Sequence, residues 1–324
     1  MSTDKNTSLI DSQLRPNTWS EYIGQQKIKD NLHILLTAAK NRGDQAEHIL
    51  FYGPPGLGKT TLSHLIAKET GRNIKITSGP AIEKVGDLAS ILTNLSDGDI
   101  LFIDEVHRLN KNIEEILYPA MESGVLDIII GKGPSARTIQ LDIPPFTLLA
   151  ATTKIAMMSS PLRSRFSGGV FKLEFYSHDE IASIIKQSAK KLNIEIEDAA
   201  IIEIAKRSRY TPRTANYFLK RCRDYAEVHE TILDYNSVLK SLELIGIDEE
   251  GLRQIDRDVL LTIIEKFNGG PVGLKTIATA THEELDSVES VVEPYLIQKG
   301  FLELTSRGRT ATQKAYEHFK QTKK

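Results

Sequence analysis

Residues 53–60 read Gly-Pro-Pro-Gly-Leu-Gly-Lys-Thr, a full match to the pattern G-x-x-x-x-G-K-[ST]. No other stretch restricts the fold as strongly. Such a loop holds phosphates only when a buried strand leads into it and a helix starts directly behind it. Both are expected here. His48-Ile49-Leu50-Phe51-Tyr52 is a short apolar run, and residues 61–68 carry a helical pattern. The glycines let successive backbone N–H groups turn toward one point, and the helix dipole adds partial positive charge there. Lys59 is then expected to reach the β- and γ-phosphates, and the Thr60 hydroxyl to hold Mg²⁺.

Strands and helices alternate around this loop. Leu14-Arg15-Pro16 opens the ordered chain after a small, polar and aperiodic stretch at 1–13 that reads as disordered. A helix is expected over 26–41, closed by Gly43, a second strand over 73–77, and helices over 88–95 and 113–122. Ile100-Leu101-Phe102-Ile103-Asp104-Glu105 is an apolar run suited to a strand buried on both faces of a parallel sheet. It delivers two acids at its C-terminal end, where open α/β sheets bind ligands. Asp104 is placed to support the Mg²⁺ shell, and Glu105 to accept a proton from, or orient, an attacking water. The alternative for an Asp-Glu pair after a strand is a helix cap. Residues 146–153 form a further buried strand ending in Thr152 and Thr153, whose hydroxyls either sense a γ-phosphate or merely finish the strand.

Later features complete the pattern. Runs at 125–130 and 137–143 flank a Gly/Pro turn and read as a hairpin, whose apolar content suits either core or a docking surface. Pro161-Leu162-Arg163-Ser164-Arg165-Phe166 places two arginines on a short turn. From Ser177-His178-Asp179-Glu180, a capping box, the alternation gives way to helices over 181–192, 199–208, 214–228 and 236–245. Arg213, in Thr211-Pro212-Arg213 at a helix start, can point at an anion. A polar link at 248–251 precedes helices over 256–267, 274–280 and 283–299, the last expected to open on a second capping box, Thr281-His282-Glu283-Glu284. Two short strand runs and a helix over 312–320 follow, a winged helix-turn-helix pattern.

Composition excludes several classes. The hydrophobic share of 40% and charged share of 26% are those of a globular chain with a real core. No apolar run approaches the roughly 20 residues that span a bilayer, and residues 1–18 lack the apolar core of a secretory signal. A single cysteine, Cys222, leaves no internal disulfide and no Cys-based zinc site, so the expected compartment is the cytoplasm. A net charge of −2 means that nucleic acid would have to meet a local basic patch.

Taken together the chain resembles the RuvB family of bacterial AAA+ motors, from about residue 14 to about 319. The segments that carry the resemblance are Leu14-Arg15-Pro16, the phosphate loop, residues 101–109, Leu117-Tyr118-Pro119-Ala120, residues 161–166, Thr211-Pro212-Arg213, Gly269-Gly270-Pro271-Val272-Gly273-Leu274, Glu293-Pro294-Tyr295-Leu296-Ile297-Gln298 and Arg307-Gly308-Arg309. The resemblance implies an α/β fold: a AAA+ P-loop NTPase parallel-sheet domain at 14–176 with a hairpin insertion near 125–143, a small helical lid at 177–247, and a C-terminal winged helix at 248–324. It implies an ATP-driven DNA motor that migrates Holliday junctions in homologous recombination, DNA repair and the SOS response. The motor would be a homohexamer around duplex DNA, with ATP between subunits. RuvA would dock on the hairpin near Ile128–Ile139, and RuvC would join in the resolvasome.

Residue by residue, the resemblance implies that Leu14, Arg15, Tyr22, Ile23 and Tyr176 surround the adenine. Gly56, Gly58, Lys59, Thr60 and Thr61 would hold phosphates and Mg²⁺, Asp104 and Glu105 would be the Walker B acids, and Thr152 or Thr153 the first sensor. Arg213 would be the second sensor. Arg165 would act on a neighbour's ATP, with Glu122, Ser123 and Gly124 contributing to the nucleotide site. Arg307, Arg309 and Lys314 would contact DNA. The chain departs from the family pattern at Lys154, where arginine is usual, at Ser164, where aspartate is usual, and in Ser167-Gly168-Gly169, one residue longer. Leu285 and Leu304 stand where DNA-contacting arginines are expected, which predicts weaker DNA binding and a shallower salt dependence. Other readings are a clamp-loader-like switch or unfoldase of the same class, and a non-hydrolytic nucleotide-gated adaptor. The intact Lys59, Asp104, Glu105 and Arg165 argue against the last.

Overall fold

In the computed structural model, which describes residues 13–130 and 137–322, the apolar runs around the phosphate loop become strands. They are β1 (Ile49–Tyr52), β2 (Ile74–Ser78), β3 (Ile100–Asp104), β4 (Val125–Ile130), β5 (Arg137–Asp142), β6 (Thr147–Thr152) and β7 (Gly169–Lys172). Five of these form a parallel sheet in the order β2-β3-β6-β1-β7. The middle strands β1, β3 and β6 are almost wholly buried, as expected for strands covered on both faces. The flanking helices are α1 (Gln26–Arg42), α2 (Lys59–Thr70), α3 (Val85–Thr93) and α4 (Lys111–Ser123). Asn110 caps α4 by accepting from the Ile113 N–H at 3.0 Å. Leu88, Leu92, Leu117 and Leu162 join Leu101, Ile103 and Leu148 in one core.

Strands β4 and β5 pair antiparallel, from Val125 opposite Asp142 to Ile130 opposite Arg137. The hairpin serves partly as core, since Leu126 is buried and Ile128 and Leu141 pack against the same cluster. Ile139 faces solvent. The expected Gly/Pro turn at 131–136 lies outside the described residues.

The described chain divides into two compact units. The sheet belongs to the unit formed by Arg15–Gly53 and Leu57–Glu174; the other is centred on Phe175–Lys324 and also takes in Leu14 and the loop tip Pro54–Gly56. The second unit begins with α5 (His178–Lys191), α6 (Asp198–Arg207), α7 (Pro212–Val228) and α8 (Tyr235–Leu244). The first capping box forms: Ser177 Oγ accepts from the Glu180 N–H at 3.1 Å, and Glu180 returns the contact at 2.7 Å. Cys222 is buried in α7, and burial pushes its thiol up to about 11, so it stays an inert apolar side chain.

The winged module follows as α9 (Gln254–Leu261), α10 (Leu274–Thr281), α11, β8 (Leu302–Thr305), β9 (Gly308–Ala311) and α12 (Gln313–Thr322). Helix α11 runs without a break through Leu285–Ser287, a π-helical turn Val288–Val292 and Glu293–Gln298. Its start corrects the sequence reading. Thr281 does not cap it: the Thr281 hydroxyl donates back to Ile277 O within α10, and His282 closes α10 in a left-handed conformation. Glu284 is the residue before α11. The Thr-x-x-Glu pattern fits a helix end as well as a start, because a threonine hydroxyl can satisfy a carbonyl of its own last turn.

Candidate functional site

The phosphate loop lies between β1 and α2. Gly53, Gly56 and Gly58 have φ of 139°, 82° and 97°, values that side chains rarely permit. At Gly58, the residue before α2, a Cβ would also come within 3.0 Å of the Tyr22 hydroxyl. Tyr22 is buried and its hydroxyl donates to Leu57 O at 3.5 Å, so it braces the loop directly. Gly53 N donates to Thr152 O at 3.2 Å, and Lys59 Nζ donates to Gly53 O at 2.7 Å. The lysine thus reaches back along its own loop, 7% exposed. Thr60 and Thr61 open α2, half-buried. Ile23 is half-buried, and Arg15 Nη1 donates to His64 Nε2 at 2.9 Å. Burial first, and the Arg15 charge second, hold His64 below its ordinary value, consistent with a neutral ring that accepts.

Parallel pairing sets the ends of β3 and β6 beside the loop. Tyr52 pairs with Thr152, and Ile103 with Ala150. Asp104 ends β3, and its Oδ1 accepts from the Glu105 N–H at 2.9 Å. Glu105 leaves the strand in a left-handed conformation, φ 50° and ψ 43°. The Thr153 hydroxyl donates to Glu105 Oε2 at 3.4 Å. Thr152 Oγ1 accepts from the Lys154 N–H at 3.0 Å and lies 2.9 Å from His107 Nδ1. Lys154 therefore contributes its backbone here. The structure brings Lys59, Asp104, Glu105, Thr152 and Thr153 to the ends of adjacent strands, and adds His107, which sequence reasoning passed over. The only signal for it was a polar ring in the otherwise ordinary turn after the acids.

A cleft of about 560 Å³ elsewhere on this unit gathers another expected set, Glu122, Ser123, Gly124 and Arg165, with Ser164 also on its lining. Arg165 Nη1 donates to Pro161 O at 2.8 Å, and its guanidinium lies 4.4 Å from the Tyr118 ring centre. Glu122 Oε1 is 3.1 Å from Arg165 Nε, near enough for an ion pair but off the N–H axis. Ser159 caps the short helix Ser160–Ser164 that delivers Arg165, and the Ser164 hydroxyl bonds to Pro161 O within it. Gly124 closes α4 with φ 65°.

In the second unit, Arg213 is exposed in the first turn of α7, and Tyr176 and Leu14 are buried. Of the three expected DNA contacts, two are engaged within the module. Arg309 makes a two-pronged pair with Glu293, at 2.6 and 3.1 Å, and Lys314 Nζ donates to Lys299 O at 2.9 Å. Arg309 ties β9 to α11, because the buried Glu293 carboxylate needs a partner. Arg307 is exposed at the turn between β8 and β9. Leu285 and Leu304 are exposed apolar side chains.

A phosphate loop heading a central parallel strand, acids ending the strand two places away, and helical and winged modules in the same chain define a AAA+ type P-loop ATPase with a winged-helix module. Family models agree along the chain. The RuvB P-loop domain of Holliday junction DNA helicase matches residues 14–173, the RuvB AAA lid domain matches 176–248, and the RuvB C-terminal winged helix domain matches 249–320. The RuvB Holliday junction branch migration motor of Thermotoga maritima is similar at 50% identity, over 95% of this chain and 98% of that one, with a TM-score of 0.87. An alanine-to-serine mutant of that protein is similar with the same identity and coverage and a TM-score of 0.88. The chain belongs to the RuvB family.

Proposed function

We propose that the protein hydrolyses ATP at a site shared between neighbouring copies and uses the energy to pull duplex DNA through Holliday junctions. The observation that carries this reading is the cluster of Lys59, Asp104, Glu105 and Thr152 at the strand ends, in a chain that also bears a winged helix. Attack of water on a γ-phosphate needs a positioned nucleophile and neutralised oxygens. Lys59 and the loop N–H groups supply positive charge, and Glu105 orients the water and takes its proton. The donor chemistry fits Mg²⁺ bound with nucleotide: the Thr60 hydroxyl and the Asp104 carboxylate would hold the ion. Among the described residues no cluster of three or more His, Cys, Asp or Glu could hold a metal unaided. When bound, the ion neutralises charge on the β- and γ-phosphate oxygens.

Arg165 serves the neighbouring copy's nucleotide, with Glu122, Ser123 and Gly124 beside it. Its pairing with the mostly exposed Glu122 is worth at most about 1 kcal/mol, and the Tyr118 stacking about as much again. An arginine supplied in trans is worth ~10³–10⁵ in rate, or about 4–7 kcal/mol. Release from Glu122 is therefore the smaller effect. Arg213 reports the γ-phosphate to the lid, and Leu14, Arg15, Tyr22, Ile23 and Tyr176 surround the base. The reading includes a homohexamer in the cytoplasm, RuvA docked on the β4–β5 hairpin, and RuvC in the same assembly. It accords with the single buried cysteine, and among the described residues no helix is long and apolar enough to cross a membrane. The test is ATP-dependent migration of a four-way DNA junction, with and without RuvA. Wild type should migrate it and Lys59→Ala should not; absence of migration in every condition, with hydrolysis intact, refutes the motor function.

A further inference from the structure

The backbone conformation at Glu105 is held from behind. Its carbonyl accepts from the Arg108 N–H at 2.9 Å, which starts the 3₁₀ turn Val106–Arg108. A Cβ on Gly79 would lie 2.4 Å from the same carbonyl, so only glycine allows this approach. The turn brings His107 back over the end of β6, with its side chain only 6% exposed. There His107 Nδ1 meets two groups: Thr152 Oγ1 at 2.9 Å and Glu105 Oε2 at 3.4 Å. A carboxylate offers only lone pairs. A proton on Nδ1 would then lie between the hydroxyl, at hydrogen-bond distance, and the carboxylate, at ion-pair distance. Thr152 is fixed in turn by the Lys154 N–H and by Gly53, which takes its carbonyl at 3.2 Å.

We propose that His107 is a positioning residue for Glu105: its Nδ1–H ties the carboxylate to Thr152, so that the group orienting the water and the hydroxyl beside the γ-phosphate are set together. The inference rests on the assignment of Glu105 as the water-orienting group. The tie runs from the phosphate loop through Thr152 and His107 to the carboxylate, and involves no other subunit. The opposing reading is that His107 only fills space beneath the sheet. A space-filling ring would tolerate an apolar replacement without a selective loss of turnover, whereas a positioning ring must keep a donor at one atom.

The experiment compares His107→Leu, His107→Asn and His107→Gln, each alone and in a Glu105→Gln background, in the full-length protein with duplex DNA. Asparagine places its amide nitrogen near the Nδ1 position, and glutamine reaches the Nε2 position instead. His107→Leu should lower kcat about 10- to 100-fold, the range expected for a displaced rather than a deleted base. Its KM and its affinity for a non-hydrolysable ATP analogue should stay near wild type. Asparagine should restore most of kcat and glutamine should not. In the Glu105→Gln background His107→Leu should add no further loss. Should His107→Leu fold less well, the asparagine-to-glutamine comparison, between two polar replacements, still decides. Wild-type kcat in His107→Leu, or equal loss in the asparagine and glutamine variants, overturns the inference and leaves Glu105 in place. Full turnover by Glu105→Gln alone overturns the role of Glu105, and the inference with it.

Discussion

The loop Arg209-Tyr210-Thr211 carries a buried clamp that can be tested quantitatively. Arg209 and Tyr210 both have positive φ, 55° and 57°, immediately before the residue that caps α7. The Arg209 guanidinium pairs with Asp256, lies 4.0 Å from the Tyr295 ring centre and donates to Val291 O at 2.9 Å. Asp256 has no exposed surface; it also accepts from the Arg253 N–H at 2.8 Å, and its Oδ1 has no hydrogen-bond partner among the described residues. Removing one partner of such a pair costs about 3–5 kcal/mol, because a buried charge is left behind. Arg209→Met should fall near the lower end, since Arg253 Nε remains 3.3 Å from the carboxylate. For a unit of this size about 3 kcal/mol lowers the melting temperature by about 10 °C. Arg209→Met combined with Asp256→Leu should recover part of that loss, because an apolar pair removes both charges and the orphaned oxygen, while the Arg253 N–H gives up its acceptor. Calorimetry on the two single variants and the double gives the cycle. A shift under about 2 °C in each single variant, or additive losses in the double, would refute the argument. The clamp joins the residues just before Arg213 to the winged module within one unit. Arg209→Met should therefore also keep ATP turnover while losing junction migration.

Other outcomes follow from single contacts. Arg165→Ala should be inactive alone but regain turnover when mixed with Glu105→Gln subunits, since each supplies what the other lacks; turnover absent at every mixing ratio argues against shared sites. His318 Nε2 is 3.1 Å from Asp248 and its Nδ1 is 3.6 Å from Glu249, and the Asp248 hydrogen bond raises its pKa above 6.5 against the effect of burial. That stabilisation is full below the unfolded value and is lost as pH rises through the higher folded value, so His318→Gln should flatten the melting temperature of the winged module above neutral pH. His48 shows the opposite sign. Its Nδ1 accepts from the Leu148 N–H, and burial lowers its pKa, so its contribution is present above 6.5 and fades as pH falls through the lower folded value; thermal melts of His48→Gln across acid pH check this. Arg307→Ala should reduce the slope of log binding constant against log salt by about 1, as one lost phosphate contact does, whereas Arg309→Ala should lower the stability of the winged module.

The phosphate loop, the buried strand ending in Asp104-Glu105, the Ser177 capping box and the winged-helix pattern are all local. Each depends on residues a few positions apart, so each can be read along the chain. The alternation of short apolar runs with helical periods also implied a parallel sheet. What the chain alone did not reveal are the long-range pairings. The strand order sets Thr152 beside the loop, and the left-handed turn at Glu105, open to only a small part of conformational space, folds His107 onto both. The same holds for Arg309, basic in sequence but committed to Glu293, and for Arg209, committed to Asp256. Thr281-His282-Glu283-Glu284 went astray for a related reason, since the same side chains can satisfy either end of a helix. Sequence fixes which groups can donate, accept or carry charge; which partner each one meets is decided by packing, where leaving a buried charge or N–H alone costs more than any local preference.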